Sequence, residues 1–257
     1  MGRVVAIGGG ELRLGETAVI DAAIVGLSGA SSPRLLFLPT ASGDAEPYVD
    51  TVKAAYKRLG CRVDALRLVA GDPGRAEIDD AIGMADIVYV GGGDTSLLMK
   101  TWRRTGVDVA LRRAHDRGAI LAGLSAGSMC WFDSGVSDFA SFVGGAGDEW
   151  EYDYLDCLGF VPGCHSPHFD DRLLESNFRA LLGTLDRTVL AVDNRCAVFM
   201  EGDSYSIVRG TPGAGAYAVK RSESSFTQER LPDSGSLAAA LGAMARTVAS
   251  DNGAVRR

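Results

Sequence analysis

Three short apolar runs in this 257-residue chain each stop at glycine. Arg3–Ile7 runs into Gly8, Gly9 and Gly10, Ile87–Val90 into Gly91, Gly92 and Gly93, and Ala119–Ala122 into Gly123, with Gly127 close behind. Runs this short, with no polar alternation, have the pattern of strands buried on both faces. Leu35–Leu38, stopped by Pro39, has the same character, and Val63–Val69 reads as a further strand. Helical patterns lie between them: Glu16–Leu27, and Pro47–Leu59, in which Val49, Val52, Tyr56 and Leu59 share one face. Buried strands joined by helices need cover on both sides, which predicts an α/β fold with a doubly wound, mostly parallel sheet. Ligands in such sheets sit at the carboxyl ends of the strands, where these glycines fall. Glycine is also in excess, at 33 of 257 residues against a norm of about 7%, so the glycine loops are the place to look for function.

The pattern changes after Asp133. Ser134–Tyr154, rich in Gly, Asp and aromatics including Trp150, Tyr152 and Tyr154, reads as an irregular excursion and a candidate lid. A helix is expected over Asp171–Leu182, a strand over Thr188–Val192, and short strands over Ala197–Met200, Tyr205–Val208 and Ala216–Val219. Gly202-Asp203 joins two of these as a hairpin turn, which implies a few antiparallel C-terminal strands. Ser222–Pro232 is polar and expected to be mobile, and Ser236–Val248 has the pattern of a terminal helix. There is no internal repeat or linker, so residues 1–220 read as one domain, followed by a polar and helical segment over 221–257.

Composition narrows the function classes. Lys and Arg number 26 against 33 Asp and Glu, a net charge of −7, which argues against a nucleic-acid surface. No stretch approaches the ~18 apolar residues of a membrane helix. The first ten residues hold no apolar core of a signal peptide, and Ala6 stands where myristoylation needs Ser or Thr. Five scattered cysteines, with no C-x-x-C pair, are expected to be reduced thiols in a cytoplasmic protein.

The glycine loops differ in chemistry. Gly8-Gly9-Gly10 invites a dinucleotide reading, but Arg13 occupies the third glycine position and the second strand ends in Leu-Pro-Thr without an acid. No phosphate-binding G-x-x-x-x-G-K-[ST] occurs either, so no cofactor is expected. Ala119–Ser128 instead carries an apolar strand directly into Gly123-Leu124-Ser125-Ala126-Gly127. A G-x-S-x-G turn at a strand end lifts the serine hydroxyl above the sheet and aims the next N–H, that of Ala126, at a developing oxyanion.

A serine nucleophile needs a base, and the chain has three histidines. His115 lies in the charged run Leu111–Arg117 and reads as a solvated surface residue. His165 and His168 lie in Gly163–Asp170, an irregular stretch before a helix. With Asp170 they suggest an incomplete metal set, but no second cluster completes it, so no metal is expected. A general base fits better. Asp193 follows the strand Thr188–Val192 and is placed to orient it, and Asn194 offers an amide oxygen for the same task.

In their order along the chain, Val90-Gly-Gly-Gly-Asp-Thr95, Gly123-Leu-Ser-Ala-Gly127, Ser166-Pro-His-Phe169 and Ala191-Val-Asp-Asn194 resemble the peptidase E (aspartyl dipeptidase) family of serine peptidases. Cys130–Asp138 is similar to an uncharacterised bacterial branch of it, and the likeness spans roughly residues 1–220. The resemblance implies a flavodoxin-like fold related to the class I glutamine amidotransferase domain. It also implies Ser125 as nucleophile, His168 as base, and the N–H groups of Gly93 and Ala126 as oxyanion hole. For the third member it points to the Asp193-Asn194 pair, with Asn194 standing where the family often has an acid, and Asp138 a further acidic position. Asp193 is the favoured acceptor. The family's arginine for a substrate N-terminal Asp aligns with Leu174, and Arg172 and Arg179 are the nearby alternatives.

The function expected is therefore a cytoplasmic, dipeptidase-like serine exopeptidase acting on small peptides, with N-terminal Asp as a candidate preference and a homodimer as the assembly considered. A glutamine amidotransferase would need Cys where Ser125 stands. A cyanophycinase-like amide hydrolase and a binding protein with weakened catalysis are the alternatives.

Overall fold

The computed structural model describes residues 2–137, 152–184, 186–223 and 225–242. Strands β1 (Arg3–Ile7), β2 (Arg34–Leu38), β3 (Arg62–Ala65), β4 (Ile87–Val90) and β5 (Ile120–Leu124) run parallel, side by side in the order β1-β5-β4-β2-β3. The connecting helices are α1 (Ala18–Leu27), α2 (Glu46–Arg58), α3 (Arg75–Gly83), α4 (Thr95–Thr105) and α5 (Val107–Asp116).

Alternate residues of these strands feed two cores, as the period of two in a strand requires. Val5, Ile7, Leu35, Phe37, Ile87, Tyr89 and Ile120 pack with Ile20 and Ile24 of α1 and Val49, Val52 and Tyr56 of α2. Val4, Ala6, Leu36, Leu38, Val88, Val90 and Leu121 face Ile78 and Ile82 of α3, Leu98 and Trp102 of α4, and Val107 and Leu111 of α5. Truncating any one such fully buried Leu or Ile to Ala costs about 2–5 kcal/mol. The sheet is doubly wound.

After β5 come a short helix α6 (Ala126–Met129), then β6 (Phe132–Ser137), β7 (Asp153–Asp156) and β8 (Val161–Ser166). Helices α7 (Phe169–Arg172) and α8 (Ser176–Leu182) lead to β9 (Val189–Val192), β10 (Cys196–Glu201) and β11 (Ser204–Arg209). β12 (Ala216–Arg221), β13 (Phe226–Arg230), β14 (Ser234–Ser236) and α9 (Leu237–Leu241) follow. β10 pairs antiparallel with β1, and β11 and β14 extend that side into an eight-stranded mixed sheet.

The remaining strands form a second sheet, ordered β13-β12-β9-β8-β6-β7, in which β6, β8 and β9 are parallel. One of its faces contributes Val161, Leu190, Val192, Ala216 and Ala218 to the large core; the other joins Phe169 of α7 and Phe178 and Leu182 of α8.

Four local expectations are corrected by this pairing. The strand expected over Val63–Val69 stops at Ala65. Gly163–Asp170 is not wholly irregular: its first residues complete β8, whose Pro, Gly and His content hid a strand that is specified by neighbours on both sides. Both ends of the 134–154 excursion are strands, β6 and β7, paired to each other; residues 138–151, with Trp150, lie outside the described residues. The polar stretch 222–232 contains β13, held at the sheet edge by β12. The helix expected from Ser236 is described to Leu241, and its continuation to Val248 lies outside the described residues. Residues 221–242 thus share both sheets with the rest of the chain, β13 in one and β14 in the other.

Candidate active site

β5 is buried along its whole length and delivers Ser125 at the carboxyl edge of the sheet. Ser125 has φ 58° and ψ −118°, a backbone state that costs a non-glycine residue about 1–3 kcal/mol and persists only where its surroundings impose it. The turn closes tightly because Gly123 and Gly127 lack side chains: a Cβ at Gly123 would lie 3.0 Å from Gly127 Cα and nearer still to its carbonyl. Among the described residues, the non-glycine positions with positive φ are Asp44, Ser125, His168 and Arg195. Three of these four surround one point.

His168, φ 54°, immediately precedes α7 and places Nε2 2.8 Å from Ser125 Oγ. Its Nδ1 lies 2.7 Å from Asn194 Oδ1. Three successive carbonyls at the end of β1 tie these segments together. Ile7 O accepts from Ser125 N (3.0 Å), Gly8 O from His168 N (2.9 Å) and Gly9 O from Arg195 N (2.9 Å). A Cβ at Gly9 would lie 2.5 Å from His168 Cε1 and closer still to Nδ1 and to Asn194 Oδ1. The first glycine cluster is therefore a floor cut low enough for the His168–Asn194 pair to rest on, a role that its sequence pattern did not disclose.

The Asp193-Asn194 pair divides its work in the opposite sense from the favoured expectation. Asp193 is buried and turned away from His168: its Oδ2 accepts from Gly215 N (2.8 Å), and its own N–H donates to Gly215 O (3.0 Å). Burial raises the pKa of its carboxyl. The next residue points the other way, so Asn194 meets the imidazole. Asn194 Nδ2 donates to Asp170 Oδ1 (2.9 Å) and Asp171 Oδ2 (2.7 Å), and Asn194 N also donates to Asp170 Oδ1 (2.9 Å). Ionised carboxylates only accept, so the amide nitrogen faces them and the oxygen faces His168. Nδ1 of His168 then carries a proton, leaving Nε2 able to accept from Ser125 Oγ–H. Asp138 lies outside the described residues.

The glycine triplet after β4 flanks the serine from the other side. A Cβ at Gly92 would sit 3.2 Å from Ser125 Cβ. Gly92 N donates to Tyr48 Oη (3.3 Å) and Asp94 N to Ala41 O (2.8 Å), while no bond from Gly93 N or Ala126 N is seen among the described residues. Asp94 caps α4 by accepting from Leu97 N (3.0 Å), which holds the triplet at the mouth of that helix.

The other two histidines serve elsewhere. His165 is fully buried, stacked on Phe132 at 4.7 Å, and burial pushes its pKa down to about 3. Its Nδ1 donates to Leu190 O (2.8 Å), and its Nε2 lies 2.9 Å from Ser128 Oγ, whose hydroxyl donates to Ser125 O (2.7 Å). His115 is not solvated as expected: only 19% of its side chain is exposed, and it packs edge-on against Phe160 at 5.2 Å, because α5 turns this residue inward. It lines a cavity of about 500 Å³ with Gly2 and Val4, at the opposite edge of the sheet from Ser125. Among the described residues no three His, Cys, Asp or Glu side chains gather as a metal set.

Arg172 is 6% exposed; its guanidinium donates to Val136 O (2.9 Å) and lies 5.2 Å over the Tyr152 ring. Leu174 is 86% exposed. All five cysteines are free thiols, and no helix among the described residues is long and apolar enough to cross a membrane.

The model of peptidase family S51 matches residues 4–208. The uncharacterized peptidase YgaJ of Bacillus subtilis (strain 168) is 31% identical over 236 residues, covering 90% of this chain and 98% of that protein. Peptidase E of Streptomyces coelicolor is 30% identical over 180 residues, 66% of this chain and 69% of that one. Among solved structures, a peptidase from an acI-B1 Actinobacterium superposes with a TM-score of 0.69 at 21% identity, over 92% of this chain and 97% of the other.

Proposed function

The chain belongs to peptidase family S51, and we propose that within this family of serine-type peptidases it is an exopeptidase that cleaves dipeptides and similarly short peptides. The observation that carries the proposal is the 2.8 Å contact between Ser125 Oγ and His168 Nε2 on a strained strand-to-helix turn.

In the proposed reaction Ser125 Oγ attacks the scissile carbonyl as His168 Nε2 takes its proton. His168 then returns that proton to the departing amine, and a water, deprotonated by the same nitrogen, releases the acyl group from Ser125. Positioned proton transfer of this kind contributes about 10²- to 10⁴-fold. Asn194 holds the imidazole in the tautomer that can accept. Gly93 N–H and Ala126 N–H bind the oxyanion, each such donor being worth about 3–4 kcal/mol.

Substrate choice follows from the cations near the site. Leu174 stands where the resemblance puts an arginine for an N-terminal Asp, and the Arg172 guanidinium is occupied by Val136 O and Tyr152. Dipeptides with a neutral first residue are therefore expected to be cleaved at least as well as Asp-X. The free thiols support action in the cytoplasm.

The test is hydrolysis of a dipeptide panel, Asp-X included, by the native protein and by Ser125→Ala. Loss of about 10³-fold or more in kcat/KM is expected for the variant, and unchanged turnover would overturn the assignment. Covalent labelling of native Ser125 by a fluorophosphonate separates a working peptidase from a binding protein, whose serine would stay unlabelled.

A further inference from the structure

We propose that Asp170 and Asp171 are positioning residues for the Ser125–His168 pair, acting through the Asn194 amide. The proposal rests on Ser125 and His168 being nucleophile and base, and it concerns what an asparagine cannot do by itself. A neutral amide can point either end at an imidazole. With the nitrogen inward, His168 Nδ1 would have to accept, Nε2 would carry the proton, and Ser125 could no longer be deprotonated. A neutral amide also places no charge beside the imidazolium that forms during attack.

Both deficits are met by the first turn of the helix that follows the base. Asp170 Oδ1 and Asp171 Oδ2 accept from Asn194 Nδ2 at 2.9 and 2.7 Å, and Asp170 Oδ1 also accepts from the Asn194 backbone at 2.9 Å. Having only acceptors to offer, the two carboxylates lock the amide oxygen inward. Their negative charges lie one amide group behind the imidazole, polarising Asn194 Oδ1 toward it. Since His168 immediately precedes α7, a single four-residue helix carries the backing for both the base and its partner. The arrangement extends the usual chain by one link, from serine to histidine to asparagine to paired aspartates.

The other charged and titratable groups around the pair do not substitute for this. Arg172 of α7 directs its guanidinium at Val136 O, and His165 of β8 bonds Ser128 and Leu190. Asp193 is committed to Gly215, and Arg195 lies 3.4 Å from Glu16.

The experiment compares Asp170→Asn, Asp171→Asn, the double variant, Asn194→Asp, and Asn194→Asp combined with the double variant. Each is measured for fluorophosphonate labelling rate as a function of pH, with thermal melting to confirm folding. The double variant is expected to lose roughly 10- to 100-fold in labelling rate, the scale at which an outer partner of an oriented imidazole acts. Its acidic limb is expected to move to lower pH, because fewer negative charges favour the imidazolium less. Asn194→Asp alone crowds three carboxylates and gains nothing. In the double-variant background the same change restores most of the rate, since the new amides at 170 and 171 can donate to it. An unchanged rate and pH limb in the double variant overturns the positioning role, and so does a loss that neither moves the limb nor is rescued, since packing alone would explain it. If the native protein itself is never labelled and cleaves no dipeptide, the assignment of Ser125 as nucleophile falls first and takes this one with it.

Discussion

Replacing Gly9 by Ala adds one methyl group in a part of the chain with no chemistry of its own, yet it should disable the site. The backbone at Gly9 does not have a positive φ, so alanine meets no conformational objection there. The obstacle is steric. The new carbon would lie 2.5 Å from His168 Cε1 and closer to Nδ1 and Asn194 Oδ1, against normal contacts of about 3.5 Å. Relief requires the ring and the amide to retreat by ~1 Å. The Ser125–His168 contact of 2.8 Å would then open to nearly 4 Å, beyond hydrogen-bond reach.

A misplacement of ~1 Å at a reacting pair costs on the order of 10²-fold in rate, which is about 2.7 kcal/mol of transition-state stabilisation. The strain of overpacking should take about 1–3 kcal/mol from stability. The assay is kcat/KM on a cleaved dipeptide together with fluorophosphonate labelling, each beside a thermal melt. Gly26→Ala in α1 is the control: nothing lies within 4 Å of its added carbon, so it should gain about 0.5–1 kcal/mol and leave activity alone. If Gly9→Ala melts as a folded protein and retains activity within about threefold, the floor beneath His168 and Asn194 does not set their geometry.

Two more outcomes are expected from other parts of the molecule. Gly123→Ala drives a methyl group into the Gly127 backbone, so it should lower both stability, by about 1–3 kcal/mol, and labelling of Ser125; normal labelling with an unchanged melting temperature would contradict the tight-turn account. Asp21, which accepts from Tyr56 Oη and Thr17 Oγ1 at 2.8 Å, has its pKa raised by burial to about 6 from 3.8. Its contribution to stability is therefore complete below pH 3.8 and lost as the pH rises through 6. The swing is about 2 pKa units, or ~3 kcal/mol. Asp21→Asn removes it, so denaturant unfolding should show the variant gaining on the native protein by about 2–3 kcal/mol between pH 4 and 7; parallel pH profiles would refute this.

Much of the fold was legible because its signals are local. Four of the five parallel strands, β1, β2, β4 and β5, carry a continuous apolar run, and such a run needs cover on both faces whatever else the chain does; β3 lies at the edge and exposes Arg62 and Asp64. Helices α1 and α2 announce themselves by apolar spacing. β8 and β13 were not legible: Val161–Ser166 and Phe226–Arg230 carry little apolar pattern and become strands only because β6, β9 and β12 supply backbone partners. The 134–154 excursion was misjudged at both ends for the same reason.

For the site the boundary is sharper. Ser125 could be singled out as the candidate nucleophile from sequence because the elbow is made by its immediate neighbours: a buried strand, two glycines and the start of a helix. His168 could be singled out only once the resemblance was noticed, since His165 lies three residues away and has the same chemistry. Nothing local distinguishes Asp193 from Asn194. Adjacent side chains near a strand end point to opposite sides, so the pairing of β9 with β12, which commits Asp193 to Gly215, decides which of them reaches the imidazole. The same long-range closure turns Gly8 and Gly9 into a floor and brings Asp170 and Asp171 behind Asn194. A sequence by itself sets which residues can form an elbow and which strands must be buried, because those depend on neighbours along the chain. Which carbonyl, amide or carboxylate stands beside the histidine depends on distances across the fold, and only the tertiary structure decides that.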